Sequence, residues 1–213
     1  MRLLSGLPSL AGPLPSFDPV TAPSEPVALF ADWLADAIEA GGGEPHAATL
    51  STVDESGRPS GRVLILKDIT GDGWQFASGG NGRKGRELAA NPWGALTFYW
   101  SALGRQVRVR GAVSAAGPER SARDFLARSP GARAVALVGR QSQVLADPRE
   151  VDLAVDAARE RIDAEPDLVA EGWTLYTLHA DEVEFWQGDP GRRHVRLRYR
   201  LEGGEWEKEL LWP

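Results

Sequence analysis

The stretch HAATLSTVDESGRPSGRVLILK, residues 46–67, decides the fold of this chain. Its hydrophobic residues follow a period of two on both sides of a turn at Asp54–Pro59, which predicts two antiparallel strands joined as a hairpin. A second turn at Gly71–Gly73 leads into a further strand at 74–77. The sheet therefore begins with three consecutive strands that no helix separates.

Outside this stretch, more strands and several helices are predicted. The further strands are 93–100, 106–114, 173–186, 195–200 and 206–211. Helices are predicted from Glu25 to a glycine stop at 41–43 and at 81–90, 118–127 and 148–164, while 130–138 is ambiguous. Six to eight strands at short spacing predict an α+β fold that is mainly β, a small barrel of mostly antiparallel strands with peripheral helices. A doubly wound parallel sheet fits less well, because helices do not alternate with strands in the first half.

Composition limits the class of protein. The 213 residues are 42% hydrophobic and 25% charged, as in an ordinary globular protein. Residues 1–24 are rich in Pro, Ser and Gly and predict an extended N-terminal arm, and residues 25–213 predict one domain. No apolar run approaches the roughly 20 residues that span a bilayer, and Met1–Leu14 does not resemble a signal peptide.

Charge and cysteine content exclude several kinds of site. The net charge of -6 argues against non-specific nucleic-acid binding. The chain has no cysteine, which excludes disulfides and thiolate chemistry and fits a cytoplasmic location. No metal site is predicted, since the three histidines lack ligand spacing with carboxylates.

Cations occur inside segments that otherwise predict core strands. Arg62 and Lys67 flank four aliphatic residues, so either an anion lies nearby or both side chains end in solvent. Strict alternation would point these two to opposite faces, so a common site requires a bulge or twist. At 81–85, a glycine-rich helix start with two cations suits a phosphate, although a solvated helix start explains it equally well.

Two further strands carry charged faces. Gln106, Arg108 and Arg110 share one face of their strand, and period two also places Arg192, His194 and Arg196 on a common side. A histidine between two arginines favours its neutral form and suits a phosphorylated or carboxylated ligand. A solvated basic face explains both patterns as well.

Seven motifs, taken in chain order, resemble the pyridoxamine 5'-phosphate oxidase family. They are R-V-L-I-L-K at 62–67, G-R-K-G-R-E-L at 82–88, N-P-W-x-x-x-x-F-Y-W at 91–100, R-Q-V at 105–107, R-Q-S at 140–142, E-F-W-Q-G at 184–188 and R-x-H-x-R at 192–196. The resemblance covers nearly the whole chain. It implies an FMN-binding split β-barrel and a homodimer with two FMN sites between its subunits.

The resemblance also implies the residues that contact FMN. These are Arg62, Val63, Leu64, Ile65, Leu66, Lys67, Ala77, Ser78, Arg83, Lys84, Gln106, Gln141, Ser142, Trp186 and Arg196. Gln141 and Ser142 are expected from the partner chain. Ala77 stands where the family commonly has Tyr.

On the substrate side the resemblance implies Lys67, Asp124, Arg128, Ala132, Arg192, Arg193 and His194. Arg192 and His194 are the expected catalytic residues, because they would position the reacting carbon and its amine or hydroxyl. Lys67 and Arg128 would hold a distal anion through charge-assisted hydrogen bonds. Asp124 and Ala132 replace the family's usual Tyr and Ser, and Val195 replaces a common Asp.

The function implied first is an FMN-dependent oxidase like pyridoxamine/pyridoxine 5'-phosphate oxidase, which forms pyridoxal 5'-phosphate with O2 as acceptor and H2O2 as product. The phrase G-R-E-L-A-A-N-P-W at 85–93 and the non-basic arm also resemble the phenazine-biosynthesis oxidases, which act on a reduced heteroaromatic acid. A flavin-binding protein without efficient turnover is the third hypothesis, and the residues at 124 and 132 permit it.

Overall fold

The computed structural model describes residues 6–213, so the first five residues of the predicted arm lie outside the described residues. The strands are β1 (Ala47–Val53), β2 (Pro59–Thr70), β3 (Gly73–Gly79), β4 (Trp93–Trp100), β5 (Arg105–Ala115), β6 (Trp173–Gln187), β7 (Val195–Glu202) and β8 (Glu205–Leu210). The α-helices are α1 (Pro26–Glu39), α2 (Arg83–Ala90), α3 (Pro118–Leu126), α4 (Pro130–Val138) and α5 (Arg149–Ala164), and one 3-10 turn covers Ser101–Leu103.

The strands form one antiparallel sheet that closes on itself. Its order is β3-β2-β1-β4-β5-β6-β7-β8, and β3 also pairs with β6. The first six strands therefore make a closed barrel, and β7 and β8 extend the sheet beyond it. The prediction of a mainly β, α+β fold with an antiparallel barrel and peripheral helices is confirmed.

The barrel core is aromatic and is completed by α1. Phe30 of α1 is fully buried, with its ring centroid 4.8 Å from that of Phe98 and 5.8 Å from that of Trp74. The apolar positions of α1 predicted this face, because they recur at the spacing of one helix side. Burying such large side chains supplies most of the free energy that holds the barrel closed.

The ambiguous segment at 130–138 is helix α4. Ser129 caps it, since its Oγ accepts a hydrogen bond from the Ala132 N–H at 3.4 Å. Ala134 packs against Ala158 and Ile162 of α5 in a second, smaller hydrophobic cluster. Packing against α5 stabilises the helical conformation of residues 130–138. The two helices are separated in sequence, so local patterns left this segment ambiguous.

The end of the arm lies against α1 and β7. The Phe17 ring is 5.1 Å from that of Trp33, and the Tyr199 hydroxyl donates to the Pro23 carbonyl at 2.7 Å. Within residues 6–213, no helix is long and apolar enough to cross a membrane.

Candidate functional site

A cavity of about 570 Å³ opens between the barrel and the helices that follow it. Strands β2 and β3 and the start of α2 form one wall, and α4, α5 and the segment between them form the other. The volume falls within the range that small-molecule sites usually have. The lining side chains are mostly apolar, with Lys84 and Gln141 among the polar groups.

Six of the predicted cofactor residues line this cavity, and we call them the cavity group. They are Val63, Leu64, Ala77, Ser78, Lys84 and Gln141. Of the other predicted residues on β2, Ile65 is exposed and Leu66 is buried in the barrel core. The valines and alanines of α4 and α5 that complete the wall were not predicted, because no motif marks them.

The start of α2 presents backbone N–H groups and a cation to the cavity. Among the described residues no side chain caps this helix, whose N-cap is Gly82. Lys84 Nζ donates to Gln141 Oε1 at 2.9 Å. Burial lowers the pKa of Lys84, and the charge of Arg62 lowers it further. Free N–H groups at a helix start together with a partly buried ammonium suit the binding of an anion.

The glycines of the G-R-K-G-R motif are required by close packing. A Cβ on Gly82 would lie 2.8 Å from Gln141 Oε1, and one on Gly85 would collide with the backbone of Gly80. Only glycine lets α2 pack this tightly against the end of β3. The sequence motif therefore shapes the cavity wall as well as charging it.

Arg62 and Arg83 do not line the cavity, because both pair with Glu87. Arg62 Nη2 lies 3.0 Å from Glu87 Oε2, and Arg83 Nε lies 2.8 Å from Oε1. Thr52 and Ser60 donate to the same carboxylate. Burial by itself would raise the pKa of Glu87, but these four hydrogen-bonding partners lower it to about 2. Sequence analysis missed Glu87, although its i, i+4 spacing from Arg83 was a usable signal.

Lys67 lies at a bulge in β2. The register between β2 and β3 shifts between Leu66 and Asp68, which supplies the irregularity that the alternation argument required. The bulge does not bring Lys67 to Arg62, however. Lys67 Nζ instead forms an ion pair with Asp124 Oδ1 of α3 at 3.2 Å.

Asp124 is held from two sides, and Arg128 lies next to it. The Trp173 indole Nε1 donates to Asp124 Oδ2 at 2.8 Å, and Trp173 lines the cavity. The Arg128 guanidinium lies 4.3 Å from the Trp173 ring centroid, and its buried Nε has no hydrogen-bond partner among the described residues. Burial lowers the pKa of Arg128, an effect that the charge of Asp124 opposes. We call Lys67, Asp124, Arg128 and Trp173 the anion cluster.

Ala132, the remaining predicted residue of this region, lies in the first turn of α4. Its side chain offers no hydrogen bond. Ser129, three residues earlier, is committed to capping α4. The anion cluster thus contains the two predicted cations, Lys67 and Arg128, and the predicted acid Asp124, and it borders the cavity through Trp173.

A second group of predicted residues lies on β5, β6 and β7. Gln106 is opposite Trp186 in the β5–β6 register, and Trp186 is opposite Arg196 in the β6–β7 register. The His194 ring lies 4.8 Å from the Trp186 ring. We call Gln106, Trp186, His194 and Arg196 the strand-end group.

The buried carboxylate of Glu184 holds Arg196 of the strand-end group in position. Glu184 accepts from Arg196 Nε at 2.9 Å and also pairs with Arg108. Burial raises the pKa of Glu184, but its hydrogen bonds to both arginines lower it overall. The predicted alternation of β5 is confirmed, since the valines are buried while Arg108 and Arg110 are exposed.

Arg192 and Arg193 lie in a turn before β7, which begins at Val195. The prediction that period two aligns Arg192, His194 and Arg196 was therefore wrong for Arg192, whose φ is +66°. Arg192 contacts the arm, with its Nη2 3.4 Å from Ser9 Oγ. Arg193 N–H donates to Asp189 Oδ1 at 3.2 Å, and Asp189 N–H donates to His194 Nδ1 at 3.1 Å.

The cavity group and the strand-end group lie near opposite ends of β6. Ser78 pairs with Thr174, and Trp186 follows twelve positions later on the same strand. At roughly 3.3 Å per residue, this corresponds to about 40 Å of extended chain. Within one chain, no member of the strand-end group lines the cavity.

Gln141 and Ser142, which the resemblance places at the FMN of the partner chain, follow α4. Within one chain, Gln141 Oε1 accepts a hydrogen bond from Lys84 Nζ at 2.9 Å. Ser142 follows it with a positive φ of 73° and an exposed side chain. The contact between α2 and the segment after α4 places Gln141 beside Lys84. The order of the motifs along the chain does not predict this contact.

Comparison with known proteins gives consistent matches. A family model described as pyridoxamine 5'-phosphate oxidase matches residues 34–162, and one described as the pyridoxine 5'-phosphate oxidase C-terminal dimerisation region matches 173–213. A curated pyridoxine/pyridoxamine 5'-phosphate oxidase from Pseudomonas fluorescens is 43% identical over 195 residues, which is 90% of each chain. A similarly named protein from Pseudomonas entomophila is 43% identical over 194 residues, with the same coverage.

Two solved structures are also similar. PhzG from Burkholderia lata, crystallised with tetrahydrophenazine-1-carboxylic acid, has a TM-score of 0.87 and 29% identity, covering 95% of this chain and all of that one. An FMN-binding, pyridoxamine 5'-phosphate oxidase-related protein from Nostoc punctiforme has a TM-score of 0.72 and 18% identity, covering 92% of this chain and all of that one. At 18% identity, this second likeness supports the fold alone.

Proposed function

Since the chain belongs to the pyridoxamine 5'-phosphate oxidase family, we propose that it is an FMN-dependent oxidase of an anionic heteroaromatic substrate. The first candidate reaction is oxidation of pyridoxamine or pyridoxine 5'-phosphate to pyridoxal 5'-phosphate, with O2 consumed and H2O2 formed. It is supported by curated relatives of that name that are 43% identical over 90% of both chains.

The described residues fit FMN. Val63, Leu64 and Ala77 offer an apolar surface for a planar ring system, and the cavity is large enough for a ligand of this kind. The uncapped start of α2 and Lys84 suit the terminal phosphate. The Lys84 ammonium at the uncapped start of α2, hydrogen-bonded to Gln141 on the opposite wall of the cavity, is the single observation that carries this assignment most strongly.

We further propose that each FMN lies between two copies of the chain, with the cavity group of one copy facing the strand-end group of the other. The separation of the two groups along β6 supports this arrangement. The family model for the dimerisation region also covers residues 173–213, which include Trp186, His194 and Arg196. Apolar side chains are exposed beside each group, with Val63 68% and Tyr99 58% exposed, as an interface requires.

In the proposed mechanism this chain's residues bind and orient, and no covalent nucleophile is needed. FMN held by the cavity group would supply the redox chemistry, namely the capacity to take up a hydride and to return two electrons to O2. His194 Nδ1 accepts a hydrogen bond from the Asp189 backbone N–H, which leaves Nε2 to hydrogen-bond with the hydroxyl or amine of the substrate and hold it in position. Arg192 would orient the same substrate, while Lys67 and Arg128 hold its distal anion, so that proximity supplies most of the rate increase.

A second candidate is the oxidation of a reduced heteroaromatic acid. The observation that favours it is the ion pair between Lys67 and Asp124, which occupies part of the expected phosphate subsite. The likeness to PhzG, with 29% identity over the whole of that chain, supports the same candidate.

The test of the proposal is flavin content followed by turnover. We expect the purified protein to absorb in the blue or to do so after FMN is added, and to consume O2 and release H2O2 in equal amounts with one substrate class. Pyridoxine 5'-phosphate, pyridoxamine 5'-phosphate and reduced phenazine carboxylates are the substrates to compare. If the protein does not bind FMN, the proposal is contradicted. If it binds FMN but oxidises none of these substrates, it is a flavin-binding protein and not an oxidase.

A further inference from the structure

The anion cluster differs from an ordinary phosphate site because it contains its own anion. Lys67 and Arg128 contribute two positive charges, and Asp124 cancels one of them through the 3.2 Å ion pair with Lys67. The cluster is therefore left with one net positive charge. A phosphate monoester carries close to two negative charges above pH 7, whereas a carboxylate carries one.

Both carboxylate oxygens of Asp124 are held by neighbouring side chains, so the carboxylate stays in place when a ligand binds. Its Oδ1 is bound to Lys67 and its Oδ2 accepts from the Trp173 indole at 2.8 Å. Its side chain is only 12% exposed, so little water screens its charge. A dianion beside it would meet a fixed like charge at short range, which is unfavourable in a poorly solvated site.

Arg128 provides the complementary feature. Its Nε is buried and has no hydrogen-bond partner among the described residues, and its guanidinium is stacked on Trp173. A planar carboxylate matches the planar fork of a guanidinium with two parallel hydrogen bonds.

We propose that Asp124 determines the charge class of the substrate: paired with Lys67, it leaves Arg128 to bind a singly charged carboxylate in preference to a phosphate dianion. This inference rests on the proposed oxidase function and selects between its two substrate classes. Asp124 acts as a specificity-determining residue through the charge that it places beside the ligand. The absence of a hydroxyl at Ala132 fits the same preference, because a phosphate has more oxygens to satisfy than a carboxylate.

The test uses a matched pair of probes, phenylacetate and benzyl phosphate, which share a ring and a one-carbon spacer. Their binding to the FMN-saturated protein is measured by titration calorimetry at pH 8, with benzyl alcohol as the uncharged reference. We expect the unmodified protein to bind phenylacetate at least about tenfold more tightly than benzyl phosphate, the effect of about one unit charge in a partly buried site.

Two variants separate the contributions of charge and geometry. Asp124→Asn keeps the shape and removes the charge, so benzyl phosphate should bind about tenfold more tightly while phenylacetate changes much less. Arg128→Gln should weaken phenylacetate binding at least about tenfold. Asp156→Asn removes an exposed acid of α5 and should change neither affinity, and circular dichroism confirms that each variant is folded.

Specific outcomes would overturn the inference. They are a preference of the unmodified protein for benzyl phosphate, an unchanged ratio of affinities in Asp124→Asn, or the binding of neither probe. Because calorimetry does not require turnover, the two proposals can fail separately. If the protein shows the expected charge selectivity but oxidises none of the substrates, only the oxidase function is contradicted. If it oxidises phosphate and carboxylate substrates with equal kcat/KM, only the charge selectivity is contradicted.

Discussion

Arg62 and Glu87 join the barrel to α2 through an ion pair, with Arg62 Nη2 3.0 Å from Glu87 Oε2 and the carboxylate only 5% exposed. Arg83, Thr52 and Ser60 bond the same carboxylate. The ionised Glu87 side chain therefore holds α2, whose N-terminus faces the cavity, against the barrel. Stability and cofactor binding should respond differently to changes in this pair and in Lys84.

Removing the charge of Glu87 should destabilise the fold in a pH-dependent way. We expect Glu87→Gln to cost about 2–3 kcal/mol of unfolding free energy at pH 7, because two guanidinium groups lose their anion. The folded-state pKa of Glu87 is about 2, below the usual 4.5, so its contribution is complete above about pH 4.5 and declines as the pH falls toward 2.

Urea denaturation of both proteins at pH 7 and at pH 3 measures this difference. The difference in unfolding free energy between the two proteins should be smaller at pH 3. At that pH Glu87 is mostly protonated in the unfolded chain but still charged in the folded one, so unfolding takes up a proton and part of the stabilisation is lost. Glu160→Gln, at an exposed position of α5, is the control and should change stability by less than about 0.5 kcal/mol. An equal gap at both pH values would refute the role of ionised Glu87.

The pKa of Lys84 should set the pH dependence of FMN binding. Burial and Arg62 lower this pKa below 10.5, so Lys84 loses its proton at a lower pH than an exposed lysine does. FMN affinity should therefore weaken as the pH rises from 7.5 toward 10.5, and the weakening should begin at a lower pH than an exposed lysine would cause. Lys84→Arg, which stays charged, should abolish this weakening.

Fluorescence titration of FMN across this pH range provides the measurement. Lys208→Arg is the matched control, because Lys208 lies on β8 and donates to the Ala22 carbonyl, away from the cavity. It should keep the pH dependence of the unmodified protein. An identical pH dependence in Lys84→Arg would show that another group is responsible.

Sites shared between two chains should allow complementation. Lys84→Ala changes the cavity group and Trp186→Ala changes the strand-end group, and each alone should lose most FMN binding. If the two variants are unfolded and refolded together, half of the dimers are mixed, and each mixed dimer has one site without either change. About a quarter of the sites should then bind FMN, as two-fold symmetry requires.

FMN content after gel filtration gives the result directly. Each variant refolded alone is the control. A mixture that binds no more FMN than its components would mean that both groups act on one site of one chain, contrary to their separation along β6.

Arg192 should matter for turnover and little for flavin retention. It lies in the turn before β7 and contacts Ser9 of the arm rather than any residue of the cavity group. We expect Arg192→Gln to lower kcat/KM about 100-fold, because the substrate loses its orientation, while the Kd for FMN changes less than about threefold. Arg159→Gln, on the exposed face of α5, should alter neither quantity. If Arg192→Gln lowered kcat/KM and FMN affinity to a similar extent, Arg192 would be a cofactor-binding residue.

Much of the fold followed from local patterns. Residues 46–77 alternate with period two and contain their own turns, so the three strands β1 to β3 were predicted close to their observed bounds. The helices α1 and α5 were predicted by the spacing of their buried residues. The segment of α4 was not, because its small and branched residues acquire a helical environment only through packing on α5.

The candidate site was predicted less completely than the fold. Motifs identified Lys84, Ala77 and Ser78, which do meet at one cavity, but they also grouped Arg62 and Arg83 with them, although both arginines turn to Glu87. The resemblance identified Asp124 as an acid that replaces the family's usual Tyr among the substrate residues. Only the structure shows that Asp124 is held by Lys67 and Trp173.

The sequence by itself determined the antiparallel barrel, the family, and which residue types are available for binding, because hydrophobic period, turn residues and motif order act over short stretches of chain. The tertiary structure decided which charge meets which. Ion pairs such as Arg62–Glu87 and Lys67–Asp124 join residues 25 and 57 positions apart, and the closing of the barrel selects them from many equally charged alternatives. The free energy of a charge depends on its nearest partner and its burial, and neither is written in local sequence.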